Sequence, residues 1–172
     1  CSLLDWRASN EMARLYGQTG DLRHAGLFVD RAQQTAASLN RLWDEPSGMF
    51  LAASIDGRQI DIWGNAFCIY LDFPLSPAQR DSILDYLVAH VDEITQRGQI
   101  RHLPAGEHWQ RLLLHVPEGV YQNGGYWGTA AGWFIYAVAQ RDRGIAARLF
   151  HELVADYRER GIHEWVNGDV MR

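Results

Sequence analysis

Two nearly all-apolar segments, 62–71 and 129–140, constrain the fold of this chain more than any other feature. Apolar residues on almost every face of a helix are typical of a helix that is covered on all sides. Each segment is followed by an amphipathic one, 76–94 and 144–158, which would face water on one side. The first amphipathic segment opens on Ser76 and a proline, a usual helix start. The pattern predicts two hairpins, each made of an inner and an outer helix.

The two hairpins are related as an internal repeat. Ile69-Tyr70 recurs as Ile135-Tyr136, and Leu87-Val88-Ala89 recurs as Leu153-Val154-Ala155, both 66 positions later. A repeat at a fixed spacing indicates that one supersecondary unit is used more than once.

A third hairpin is predicted before these two. Apolar spacings of three and four predict a helix over 4–16, and Asp21 is a plausible N-cap for a helix that runs to Trp43. The expected fold class is therefore all-α, with about three helical hairpins of an α/α toroid. Short extended segments are predicted in the connections at 49–54, 99–103 and 161–166.

Three hairpins are fewer than the six that close an (α/α)6 ring. We expect one domain over residues 1–172, forming part of a longer barrel. Such a part would expose an apolar flank, because contiguous apolar patches are normally covered. The rest of the barrel or a second copy of the chain is the expected cover.

Charge and hydropathy exclude several classes of partner and chemistry. The net charge is −5 and the arginines are scattered among carboxylates, which argues against nucleic acid. All 16 basic residues are Arg, so Schiff-base chemistry and a P-loop lysine are excluded. The longest apolar runs are too short for a membrane span.

Metal, nucleotide and nucleophile sites lack their sequence patterns. The segment that begins at His151 resembles the start of a zinc-protease helix, but Ala155 stands where the second His is needed. His102 and His108 have no acidic partner at a zinc-ligand spacing. Cys68 lies in an apolar run and is predicted to be a small core residue. We therefore expect no metal and no cofactor.

Aromatic residues stand beside carboxylates, amides and glycines in the segments 59–65, 101–109, 118–127 and 163–169. Ring faces stack on the C–H faces of sugars, while carboxylates and amides bond to hydroxyl groups. This composition favours a carbohydrate as the partner. The candidate substrate-binding residues are Trp63, Arg101, His102, Glu107, Trp109, Tyr121, Asn123, Tyr126, Trp127 and Trp165.

Several of these runs resemble the six-hairpin glycosidases, a superfamily with an (α/α)6 barrel that includes α-L-rhamnosidases, trehalases and glucoamylases. The resemblance begins at about Trp6, and residues 121–127 are its most specific part. The other runs that carry it are 42–50, 59–64, 101–104 and 163–167.

The resemblance implies a glycoside hydrolase that works by inversion with two carboxylates, an acid and a base. Glu164 stands where members often place a catalytic Glu. Asp61 stands at the head of an inner helix, as its partner or as a sugar-binding carboxylate. We expect the two to face one cavity about 6.5 to 9.5 Å apart, with burial raising the pKa of the acid.

Several candidates also have a structural interpretation. Asp61 favours a helix N-terminus electrostatically, Glu164 and Glu107 are solvated, and Asn123 belongs to a turn. Trp63, Trp127 and Trp133 pack in the core.

Two other functions stay open. One is a sugar epimerase or isomerase that uses His102 and His163; the other is a non-catalytic domain that binds glycan or protein on a concave face. Two carboxylates in one cavity favour a hydrolase, two histidines favour an epimerase, and aromatics without titratable neighbours favour a binding domain.

Overall fold

The computed structural model describes residues 2–109 and 111–167, so residues 168 and 169 of the last predicted segment lie outside it. Seven helices hold 54% of the described residues, and two small antiparallel sheets lie in the connections. The protein is predominantly helical rather than purely all-α. The helices are α1 (Ser2–Gln18), α2 (Leu22–Asn40), α3 (Ile62–Tyr70), α4 (Pro77–Ala89), α5 (Val91–Ile94), α6 (Ala131–Ala139) and α7 (Arg143–Arg160).

The helix starts follow the capping residues that the sequence offers. Asp21 accepts a hydrogen bond from the His24 backbone N at 3.1 Å. Ser76 Oγ accepts one from Gln79 N at 3.1 Å, and the Gln79 side chain accepts one from Ser76 N, which completes a capping box. Such caps satisfy backbone donors that the first helical turn leaves free.

Two helix ends differ from the sequence prediction. The α2 helix stops at Asn40 rather than Trp43, because Trp43 pairs with Phe50 in a short hairpin. The helix predicted to run to Ile94 is broken at His90, whose φ of −104° and ψ of 12° leave the α-helical region. This break divides the predicted helix into α4 and α5.

The strands are shorter than predicted or occur where none was predicted. The predicted segments 49–54 and 99–103 form strands only at 49–50 and 99–101, and 161–166 contributes a single bridge from Val166 to Tyr126. Strands of two residues are too short to show a periodicity. The strands are β1 (Trp43–Asp44), β2 (Met49–Phe50), β3 (Thr95–Gln96), β4 (Gln99–Arg101) and β5 (Tyr126–Trp127).

The core lies between α3 and α6, which pack against each other. Ile62, Ile69, Phe134 and Val138 are all buried, as the apolar pattern predicts. Cys68 is buried as well, so its predicted place in the core is confirmed. The helices α4 and α7, which follow α3 and α6 in the chain, pack beside α3 and α6 respectively.

The α1–α2 hairpin pairs along its length and contributes little to this core. Its buried residues are Leu3, Ser9 and Ala32. None of the helices in the described part of the chain is long and apolar enough to cross a membrane.

Candidate functional site

A cavity of about 440 Å³, which we call the Asp61 cavity, brings four of the predicted site residues together. Asp61, Trp63, His102 and Trp109 border it, with apolar residues from α1, β2 and α3. Its volume lies in the range typical of small-molecule sites. Residues that are far apart in the sequence therefore share one space.

Asp61 is the N-cap of α3, and its Oδ1 accepts a hydrogen bond from Gly64 N at 2.9 Å. A Cβ at position 64 would collide with the Asp61 carboxyl, so Gly64 leaves room for it. Although the side chain borders the cavity, it lies deep among protein atoms, and this burial raises the pKa of Asp61. Asp61 thus starts the helix and also presents a carboxyl that tends to keep its proton.

The start of α3 is held by buried hydrogen bonds. Asn65 accepts from Phe50 N at 2.9 Å and donates to Phe50 O at 2.9 Å and to Asp61 O at 2.8 Å. Ile62 N donates to His102 O at 2.8 Å. These hydrogen bonds therefore hold the backbone of both Asp61 and His102 at the start of α3.

His102 stacks on Trp63, with ring centroids 3.6 Å apart and an interplanar angle of 23°. Trp63 Nε1 donates to Ile100 O at 3.2 Å, which fixes the indole. His102 Nδ1 is buried and has no hydrogen-bond partner among the described residues. Burial lowers the pKa of His102 to about 4, so the ring is neutral near pH 7.

Trp133 packs against the core, as the sequence interpretation predicts, and it also belongs to the candidate site. It borders the Asp61 cavity, and its Nε1 is buried without a hydrogen-bond partner in the described part of the chain. The 66-residue repeat aligns Trp133 with Phe67, which borders the same cavity. The repeat could therefore have indicated that the two side chains border one space. Unpaired buried donors and acceptors are costly, which makes this cavity a natural place for a polar ligand or water.

Trp127 does not border the cavity and is buried, as its structural interpretation predicts. Its ring packs on Trp63 at 6.0 Å, His102 at 5.6 Å and Tyr121 at 4.7 Å between centroids. Its Nε1 donates to Tyr121 O at 3.3 Å. These contacts make Trp127 a support for the rings that border the cavity.

Glu164 is exposed and does not border the Asp61 cavity. Its Oε1 accepts a hydrogen bond from Tyr121 Oη at 3.0 Å, and this bond raises the pKa of Tyr121. Tyr121 also contacts Trp165, with ring centroids 5.8 Å apart. His163 is exposed outside the cavity too, so the histidine pair of an epimerase does not meet there.

Asn123 serves the loop that carries Trp109. Its Oδ1 accepts from Trp109 N at 2.7 Å, and its Nδ2 donates to Val116 O at 2.9 Å. Asn123 N donates to Val120 O at 2.9 Å, which fits the turn interpretation. Both ends of the amide are therefore already bonded to protein.

Arg101, Glu107 and Tyr126 form a separate group outside the Asp61 cavity. The Arg101 guanidinium lies 5.7 Å from the centroid of the Tyr126 ring and donates to Glu107 O at 3.2 Å. The Glu107 side chain is exposed, as its solvated interpretation predicts.

A larger cleft of about 730 Å³ lies along α1 and α2 but lacks the features of the Asp61 cavity. Its carboxylate, Asp5, is already bonded to Arg31 and to Thr35. No aromatic side chain from the described residues borders it. The cleft therefore offers neither an aromatic surface for stacking nor a carboxylate that is free of an ion pair.

Within residues 2–109 and 111–167, no group of three or more His, Cys, Asp or Glu side chains is placed to hold a metal ion. Burial raises the pKa of the Cys68 thiol, which keeps it protonated. Comparison with known protein families and with curated proteins finds no match. The function is therefore argued from the geometry of the site.

Proposed function

We propose that the Asp61 cavity binds one ring of a neutral carbohydrate and that the chain is part of a glycoside hydrolase. The observation that carries this proposal is the meeting of a carboxyl, a neutral imidazole and three indoles around one space of about 440 Å³. Indole faces pack on the C–H faces of a sugar ring. The carboxyl, the imidazole nitrogen and the indole N–H group bond to its hydroxyl groups.

The charges around the cavity favour a neutral ligand. Asp61 borders the cavity, and among the described residues no Arg does. Arginine is the side chain best suited to carboxylate or phosphate, and the chain contains no lysine. Sugar acids and sugar phosphates therefore fit the cavity less well than neutral sugars.

Asp61 is the proposed general acid of an inverting hydrolysis. A carboxyl whose pKa is raised by burial holds its proton to a higher pH than an exposed carboxyl does and can donate it. The proton goes to the glycosidic oxygen as the bond from that oxygen to the anomeric carbon breaks. A water forms the new bond to this carbon from the opposite face, and a second carboxylate takes the proton that the water loses.

Glu164 is the proposed base. Its hydrogen-bond partner Tyr121 packs on Trp127, and Trp127 packs on both Trp63 and His102. Glu164 itself lies outside the Asp61 cavity, so its role as base rests on the resemblance of its segment to the six-hairpin glycosidases and not on the geometry of the cavity. Inversion requires that the two carboxyl groups stand about 6.5 to 9.5 Å apart with the water between them.

The helices are proposed to pair as hairpins of an (α/α)6 toroid. Two facts support this arrangement: the most apolar helices, α3 and α6, pack on each other, and each is followed by a helix that packs beside it. In the toroid α3 and α6 would be inner helices, and α1–α2 would be a third hairpin.

The hydrolase proposal is tested with 4-nitrophenyl glycosides of glucose, galactose, mannose, xylose, rhamnose and glucuronic acid. Hydrolysis is followed by nitrophenolate release, and binding by tryptophan fluorescence. On the corresponding methyl glycosides, whose alkoxide leaving group needs the proton, Asp61→Asn should lower kcat for release of the free sugar by about 100-fold or more, since the amide cannot donate the acid proton. Binding should persist because Asn is also a good N-cap.

Glu164→Gln should lower kcat by a similar factor, and Glu45→Gln, in the exposed turn between β1 and β2, is the matched control. Full activity in Glu164→Gln would reject this base while keeping Asp61 as the acid. Absence of both hydrolysis and binding across the six sugars would contradict the proposed function.

A further inference from the structure

A second cavity of about 400 Å³ adjoins the Asp61 cavity. Trp109 and Ala52 border both spaces, so the two cavities lie next to each other at these residues. The far side of the second cavity contains Asp56, Arg111 and Leu113. None of these three residues was predicted to take part in a site.

Trp109 is held firmly at the boundary between the two cavities. Its backbone N donates to Asn123 Oδ1 at 2.7 Å, and its Nε1 donates to Gln122 O at 2.8 Å. The indole N–H group is therefore occupied, and what the side chain offers to a ligand is ring surface. A fixed indole that borders two spaces can contact two consecutive rings of one ligand.

The second cavity combines apolar surface with one ion pair. Arg111 Nη1 lies 2.5 Å from Asp56 Oδ2, and both side chains are largely exposed. Leu113 is fully exposed and offers apolar surface to this space. Gly57 borders the same space and adds no side chain to fill it. This surface fits a ring with one apolar face and polar groups at its edge.

We propose that the second cavity is the subsite for the group attached to the sugar ring in the Asp61 cavity. The ligand then has at least two rings, and the bond between them lies beside Trp109. This inference rests on the proposed function, because it places the leaving group next to the acid. A second sugar and an aryl group share the required chemistry, a ring with an apolar face.

The test compares four ligands of each neutral sugar named above: the monosaccharide, its methyl glycoside, its phenyl glycoside and its homodisaccharide. Isothermal titration calorimetry with Asp61→Asn avoids turnover. We expect a two-ring ligand to bind about tenfold more tightly than the methyl glycoside, the scale of one added ring contact. A gain for the disaccharide identifies a sugar as the second ring, and a gain for the phenyl glycoside alone identifies an aryl group.

Arg111→Ser and Leu113→Ser, each added to Asp61→Asn, should remove this gain and leave monosaccharide affinity unchanged. Both side chains are exposed, so the folded state should survive. Arg23→Ser and Leu22→Ser at the exposed start of α2 are the matched controls. Equal affinity for one-ring and two-ring ligands would overturn the subsite and leave the proposed function standing. Failure of every monosaccharide to bind would overturn both.

Discussion

His102 lies where a charged ring is disfavoured. It stacks on Trp63, and burial lowers its pKa from the ordinary value of 6.5 to about 4. The unfolded chain therefore takes up a proton at this residue at a higher pH than the folded chain does. Between these two values, acid favours the unfolded state.

His102→Phe should make the free energy of unfolding less sensitive to acid. The contribution of His102 is complete above about pH 6.5 and is lost as the pH falls through about 4, because the unfolded state binds more protons in that window. Phe keeps a ring on Trp63 and cannot titrate. Urea unfolding at several pH values between about 7 and 4 measures the difference.

His151→Phe on the exposed side of α7 is the matched control and should keep the wild-type profile. The raised pKa of Asp61 contributes with the opposite sign, since the folded state then holds the extra proton. Because Asp61 is present in both proteins, its effect cancels in the comparison. Identical pH profiles for wild type and His102→Phe would contradict the assigned environment.

At the scale of elements, Asn65 joins β2 to the first turn of α3. Its side chain is fully buried and bonds to both backbone groups of Phe50 and to the carbonyl oxygen of Asp61. An aspartate there could accept but not donate. The amide is therefore needed for the position of the helix that carries the candidate acid.

Asn65→Ala should lower the free energy of unfolding by about 1 to 3 kcal/mol, because it leaves buried backbone groups unpaired. Asn65→Asp should lower it further, since it also buries a charge. Urea unfolding measures both. Asn40→Ala at the exposed end of α2 is the control, and a loss no larger than in that variant would contradict the role of Asn65.

At the scale of the whole molecule, burial is distributed unevenly. In α3, five of nine residues are buried, whereas in α2 only Ala32 is, although that helix has 19 residues. Several large apolar side chains of the first hairpin are exposed, including Leu4, Leu22 and Leu27. These are the surfaces that the rest of a barrel or a second copy would cover, and that association stays a prediction.

Hydrogen exchange followed by mass spectrometry should show different levels of protection in different helices. Amides of α1 and α2 should exchange well before those of α3 and α6, because local opening costs little where few apolar side chains are buried. The α4 helix, with three buried residues among thirteen, should lie between them. Uniform protection across the first hairpin and α3 would instead indicate that the whole chain opens as one unit.

Much of the helical fold is predictable from the sequence because its signals are local. The apolar character of 62–71 predicts a buried helix wherever its partner lies, and α3 is buried. Asp21 and Ser76 cap helices through backbone groups only three residues away. The small sheets were predicted only in part: β2 and β4 lie in predicted extended segments, whereas β5 depends on pairing between Ile100 and Trp127, which are far apart in the sequence.

The sequence by itself determined which residue types could form the site, and the tertiary structure decided what each one does. Asp61, His102 and Trp109 were candidates from composition, but only packing brings them to one cavity. Asn123 and Trp127 lie in segment 121–127, the most specific part of the resemblance, yet the polar groups of their side chains are bonded to the loop. The physical reason is that a side chain's role depends on neighbours far along the chain, whereas a helix depends on neighbours within one turn.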